Sequence, residues 1–168
     1  MFEFIRKLMN LKGKDYFYIM HLSYGRNYKR ELLWNYAKEN KIIGLDLPNI
    51  VNGDWNKEKE SARERGISGI WEKQFDIWYN DMGKGDIVMI LAGWKSILGV
   101  AEIDDNYPEY NQEFSVKEKF FEHIRRVNWI KKYDFDEVPC QVKGFYNTLR
   151  KVERGSKWWT SLANIELP

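Results

Sequence analysis

Apolar positions change their spacing several times along this chain, and each change marks an element. Phe2, Ile5, Leu8 and Met9 recur at helical intervals and predict a short amphipathic helix at the start. "DYFYIMHL" (15–22) is short, aromatic and β-branched, which predicts a strand. In "GRNYKRELLWNYAKENK" (25–41), Tyr28, Leu32, Leu33, Tyr36 and Ala37 share one helical stripe, with Trp34 off its centre. "KIIGLDLP" is a brief extended piece, ended by Pro48, which disfavours helix at Leu47. A polar stretch from Asn49 to Gly66 carries an expected surface helix in "NKEKESARER".

Trp71, Phe75, Trp78 and Met82 then follow at i, i+4, i+7 and i+11, the stripe of a helix facing the core. Next comes a hairpin, "GDIVMILAGWKSILGVAEI" (85–103), whose first arm is apolar on both faces, as a central strand is. "DDNYPEYNQEFS" reads as an acidic loop. "FFEHIRRVNWI" sets His123, Arg125, Val127 and Trp129 on one side of a strand. Weaker strands are expected around "QVKGF" and "TLRKV", and a closing helix in "SKWWTSLANI". Helices mixed with strands, then consecutive strands, predict an α+β fold whose sheet curls toward a small open barrel. Residues 1–14 form an N-terminal extension and 15–168 one domain, a length that can bury a single core.

Charge changes this picture by its distribution. Residues 102–118 hold Glu102, Asp104, Asp105, Glu109, Glu113 and Glu118 against Lys117, whereas 141–157 hold Lys143, Arg150, Lys151, Arg154 and Lys157 against Glu153. The basic end is a face that can meet phosphates; solvated surface charge is the plainer alternative. Aromatic residues make up 16% of the chain, including 8 Trp, so stacking faces are available once the core is filled. The single Cys140 excludes an internal disulfide, and no apolar run reaches the length of a membrane span. A soluble cytoplasmic protein is expected.

Catalysis finds little footing. Two histidines and one cysteine cannot build a common zinc site by themselves, and no Gly-rich phosphate loop is present. A Cys140–His pair lacks an activating helix start or turn. "DFDEVPCQVK" sets Asp134 or Asp136 ahead of Lys143, which faintly suggests a metal-dependent nuclease, but the spacing is tight and a second acidic ligand is missing. No cofactor and no metal are expected.

Three pieces line up in order: "IIGLD" (42–46), "GDIVMI…GWKSILGVAEI", and "HIRRVNW" (123–129). Across roughly residues 15–130 this resembles the EVE-like and YTH-like branch of the PUA-like superfamily. It is most similar to the N-terminal specificity domains of McrB-type modification-dependent restriction enzymes. The resemblance implies a curved mixed sheet flanked by helices, with a pocket for one unpaired or flipped base, N6-methyladenine or a modified cytosine among them. It puts Ile43, Gly44, Leu45 and Asp46 at the pocket, with Leu45 where many relatives carry an aromatic, so that the wall is either aliphatic or completed by Trp94, Trp34 or Trp55. His21 ends the first strand where relatives bond the base edge, and His123 and Arg125 match the family's "HxR" pair.

The expected base pocket is therefore His21, Trp34, Ile43, Gly44, Leu45, Asp46 and Trp94. The expected contacts to the nucleic-acid backbone are Arg26, Arg30, Lys95, His123, Arg125 and Arg126. Trp94 and Lys95 share a hairpin tip, where they read as a wedge beside a phosphate contact or as a cover for the sheet edge. His123 and Arg125 have their own alternative, a pair at the core rim tied to nearby carboxylates. The expectation is a non-catalytic domain that recognises a modified base in double-stranded DNA and targets a GTPase (AAA+) domain of a longer chain and a nuclease subunit, with "ANIELP" at the start of a linker. An RNA-binding module of the same fold, a nuclease, and a protein-interaction domain are the rivals.

Overall fold

The computed structural model describes residues 4–22, 30–47, 49–93, 96–112, 121–135, 137–139, 147–163, 165 and 167–168. In chain order the elements are α1 (Phe4–Lys12), β1 (Tyr16–His21), α2 (Arg30–Asn40), β2 (Ile42–Leu45), α3 (Trp55–Glu64) and α4 (Gly69–Asp76). A π-helical turn (Ile77–Asp81) extends α4 and is followed by β3 (Ile87–Ala92), β4 (Ser96–Ile103), β5 (Glu109–Tyr110), β6 (His123–Lys132), β7 (Val138–Pro139), β8 (Leu149–Glu153) and α5 (Lys157–Ala163).

The strands run in the order β2-β6-β4-β3-β1-β8, with β5 attached to β6 and β7 to β4. Among the described residues β1 and β3 alone pair in parallel, at Tyr18↔Val88 through His21↔Leu91, and the other pairings are antiparallel. Register shifts at Ile90/Leu91 and at Val100/Ala101 bend the middle strands. The result is an α+β fold built on a curled, open half-barrel of mixed strands, flanked among the described residues by five α-helices.

Side-chain alternation along the strands sends apolar groups to both faces. Tyr18, Met20, Val88 and Ile90 join one core with Leu33, Trp34 and Ala37 of α2, Trp55 of α3 and Phe75 of α4. Phe17, Ile19, Ile87, Met89 and Leu91 join a second core under Ile5 and Met9 of α1 and Trp158, Trp159 and Leu162 of α5. Every residue of β3 is accordingly buried, as its unbroken apolar run predicts. The N-terminal extension is part of this second layer, since Ile5 and Met9 are fully buried.

The expected acidic loop carries the short strand β5, the short strand β7 is unexpected, and two helices differ from expectation. Trp34 is fully buried while Leu32 is 52% exposed, so α2 is turned relative to its apparent stripe. The reason lies in β4: a Cβ on Gly99 would come within 2.9 Å of the Trp34 ring, so the missing side chain makes the socket. Inside it Trp34 meets Trp129 edge-on at 5.0 Å, and its Nε1–H donates to the Tyr133 carbonyl. Second, the helix over Trp71 to Met82 widens after Asp76, where Met82 N–H reaches back to the Ile77 carbonyl. The expected strand at "QVKGF" lies outside the described residues.

Candidate functional site

One end of the sheet gathers several of the residues singled out in the sequence. His21 closes β1 opposite Leu91, and Leu22 N–H bonds the Leu91 carbonyl at 2.8 Å. Gly93 follows β3 in the left-handed region (φ +60), a conformation that suits a residue without a side chain. Arg30, exposed at the start of α2, reaches the same turn: its Nη1 lies 3.2 Å from where a Gly93 Cβ would stand. His21 N–H also bonds the Thr148 carbonyl ahead of β8, and Leu149 N–H bonds Gln74 Oε1. The carboxyl ends of the parallel strands β1 and β3 thus meet the first turn of α2 and the root of the β3–β4 hairpin. Trp94 and Lys95 at its tip, and Arg26, lie outside the described residues.

The second part of the expected pocket stands elsewhere. Ile43 and Leu45 are fully buried on β2, which pairs with β6, so that β6, β4 and β3 intervene before β1 in the sheet order. Gly44 opens no cavity, because a Cβ there would lie 1.9 Å from Phe121 Cγ; the Phe121 ring occupies the space. Trp34 is sealed under α2 as described, and Trp55 bonds Asp76 Oδ1 through Nε1–H.

His123 and Arg125 sit inside the protein rather than at its surface. The Arg125 side chain is fully buried; it donates to Asp105 Oδ1 at 2.8 Å and to the carbonyls of Trp78 and Met82 at 2.5 and 2.6 Å. It clamps the π-helical turn to β6. His123 is equally buried, with Nε2–H donating to the Val51 carbonyl, which leaves Nδ1 to accept the Tyr79 hydroxyl at 2.7 Å. A phosphate contact from either residue would break these bonds; as the chain is folded, both fasten β6 to its neighbours, Arg125 through Asp105 and two carbonyls and His123 through Val51 and Tyr79. Arg126, the next residue, does face outward, 3.2 Å from Glu109 Oε2.

Around His123 the side chains are aromatic and acidic. Tyr110 lies 5.0 Å from the imidazole, Tyr107 meets Tyr79 edge-on at 5.5 Å, and Tyr107 donates its hydroxyl to Asp54 Oδ2. Burial drives the His123 pKa down to about 4, against smaller opposing pulls from the Val51 carbonyl and Asp54. Burial drives Asp46 the other way, up to about 7, with Glu122 adding to it and the Leu47 backbone N–H opposing. These shifts have opposite consequences. The His123 contribution to stability is complete above about pH 6.5 and is lost as pH falls toward 4. That of Asp46 is complete below about 3.8 and is lost as pH rises through 7. Between pH 7 and 4 the two slopes offset each other. Asp46→Asn removes one of them: relative to the natural chain it is expected to gain about 4 kcal/mol at pH 8 and under about 1 kcal/mol at pH 4, read from urea melts at both pH values. Equal differences at the two pH values would contradict the assignment.

The nuclease alternative finds Asp134 exposed and 3.6 Å from Lys38 Nζ, while Asp136, Cys140 and Lys143 lie outside the described residues. Among the described residues no group of three or more His, Cys, Asp or Glu side chains is placed to hold a metal ion. No helix among them is long and apolar enough to cross a membrane.

A family model described as "Domain of unknown function (DUF8426)" matches residues 20–153, from the end of β1 through β8. No curated protein and no solved structure matches the chain.

Proposed function

The chain belongs to the DUF8426 family, and we propose that it is a non-catalytic nucleic-acid-binding domain of PUA-like, EVE-like type. In this reading it receives a modified, swung-out base of duplex DNA and directs a separate GTPase motor and a nuclease to that site. The observation that carries it is the meeting of His21, Arg30 and the Gly93 turn at the carboxyl ends of β1 and β3, where open α/β sheets commonly take ligands. The curled mixed sheet is compatible with a PUA-like fold.

The division of labour follows from chemistry. Extruding a base costs a few kcal/mol in pairing and stacking. An aromatic face returns about 1–3 kcal/mol per base, which is the role of Trp94. Arg30 and Lys95 hold backbone phosphates, and His21 bonds the base edge. A buried methyl adds only about 0.8 kcal/mol, so discrimination also needs a shape that excludes wrong bases. Ile43, Leu45 and Trp34 are fully buried and Phe121 fills the space at Gly44, so this version of the pocket does not use them.

Titration of fluorescent duplexes with one N6-methyladenine, one modified cytosine or neither tests the reading, with RNA of the same sequence alongside. One modified duplex is expected to bind at least about 10-fold more tightly than the plain one. Trp94→Ala is expected to erase most of that preference, and Arg30→Gln to weaken both duplexes alike. Equal affinity for all DNA duplexes sinks base reading; preference for the RNA moves it to the rival module.

A further inference from the structure

The opposite end of the chain's charge pattern has a structural counterpart that the base pocket does not use. β8 is the last strand in the sheet order, and among the described residues its outer edge carries no further strand. Four cations flank that edge, Lys151 on the face of Tyr18 and Arg150, Arg154 and Lys157 on the face of α5, and each rests on an aromatic ring. Lys151 Nζ lies 4.2 Å from the centre of Tyr16, Arg154 lies 5.3 Å from Trp159, and Arg150 and Lys157 lie 5.6 and 5.0 Å from Trp158. Cations elsewhere also stand over rings, Lys59 on Trp55, Lys38 on Trp34 and Lys131 on Phe4, but Lys59 and Lys38 have carboxylate partners as well, Asp76 and Asp134. Here Arg154 pairs with Asp15, whereas Lys151 and Lys157 have no carboxylate partner among the described residues. Ring faces hold a cation in place without neutralising it, so the charge stays available to an outside anion.

We infer that the exposed β8 edge, flanked by Lys151 on one side and by Arg150, Arg154 and Lys157 on the other, is a second, sequence-independent contact, a track for the phosphate backbone of the same DNA. Continuity argues for that occupant. β8 begins beside His21, through the Thr148 carbonyl, and runs away from it until Glu153 stands opposite Tyr16. A strand of five residues covers about 16 Å, close to half a turn of duplex, before α5 adds its own length. Asp15 and Glu153 interrupt the track, and together with Tyr16, Lys151 and Arg154 they line an open depression on it. The cations outnumber them. Phosphate contacts of this kind act through release of counterions and carry no base information. The inference rests on the nucleic-acid reading for its occupant but not on base discrimination.

The test is the salt dependence of binding of the whole chain to an unmodified duplex, for the natural sequence and for Lys151→Gln/Lys157→Gln. The double variant changes two side chains at the surface, and circular dichroism melting checks that it folds. The slope of log affinity against log salt is expected to fall by about 2, with affinity at 0.1 M salt down about 10- to 100-fold on modified and unmodified duplexes alike. An unchanged slope overturns the track even if base preference persists. Loss of base preference with the slope response intact overturns base reading and leaves the track standing. Absence of duplex binding at low salt, or a polyglutamate peptide responding to the substitutions where DNA does not, overturns the track as well.

Discussion

Arg125→Met is expected to lower the unfolding free energy by about 3–5 kcal/mol, the range seen when one member of a buried charged network is removed. The guanidinium is fully enclosed and serves three acceptors at once: Asp105 and the Trp78 and Met82 carbonyls. A methionine fills similar volume but donates nothing. It leaves two carbonyls at the end of the π-helical turn without their charged partner, and Asp105 with only its remaining bond from Arg126 N–H. Arg126→Met is the matched control: that side chain is 48% exposed and is expected to change stability by under about 1 kcal/mol. Urea unfolding of both variants measures the difference. A loss below about 1 kcal/mol for Arg125→Met would show that the guanidinium is not the clamp described here. The same pair separates a fastener from a phosphate ligand, since a ligand's removal weakens DNA binding while stability holds.

Gly44→Ala is expected to rank next, at about 3 kcal/mol or more. The added methyl would stand 1.9 Å from Phe121 Cγ and 2.1 Å from Phe121 Cβ, and Phe121 is itself 1% exposed with nowhere to retreat. β2 must then separate from the ring, straining its pairing of Gly44 with Ile124. Phe121→Ala alone costs about 3–5 kcal/mol by opening a cavity. In the double variant the alanine methyl enters the vacated space, so its penalty falls well below the sum of the two singles. Thermal melts of the three variants read this coupling directly; simple additivity would mean that the ring does not sit on Gly44.

The Phe121–Gly44 contact is not legible in the sequence. The order "IIGLD…HIRRVNW" does not state that the two segments pair, with Leu45 opposite His123. It says nothing of Phe121, whose ring covers Gly44 from just ahead of β6. Glycine in an apolar strand signals a close approach, but the partner is chosen by the fold. His21, Arg30 and the hairpin are far apart in the chain, and parallel pairing of β1 with β3 is what joins them. Trp34 shows the reverse error of a local reading. Its helical stripe is sound as geometry, yet the Gly99 socket turns the helix.

By itself the sequence determined the elements, the two-sided burial of β3, and the separation of acidic from basic segments. Each depends on periodicity or composition within some ten to twenty residues, which short-range sterics and the burial of apolar groups translate into local structure. Tertiary structure alone decided that His123 and Arg125 point inward, that Phe121 closes the space over Gly44, and that the β8 cations stand on rings. A polar side chain's place depends on whether partners can meet it after desolvation, and those partners come from Val51, Tyr79, Trp78, Met82 and Asp105, brought together only when the chain folds.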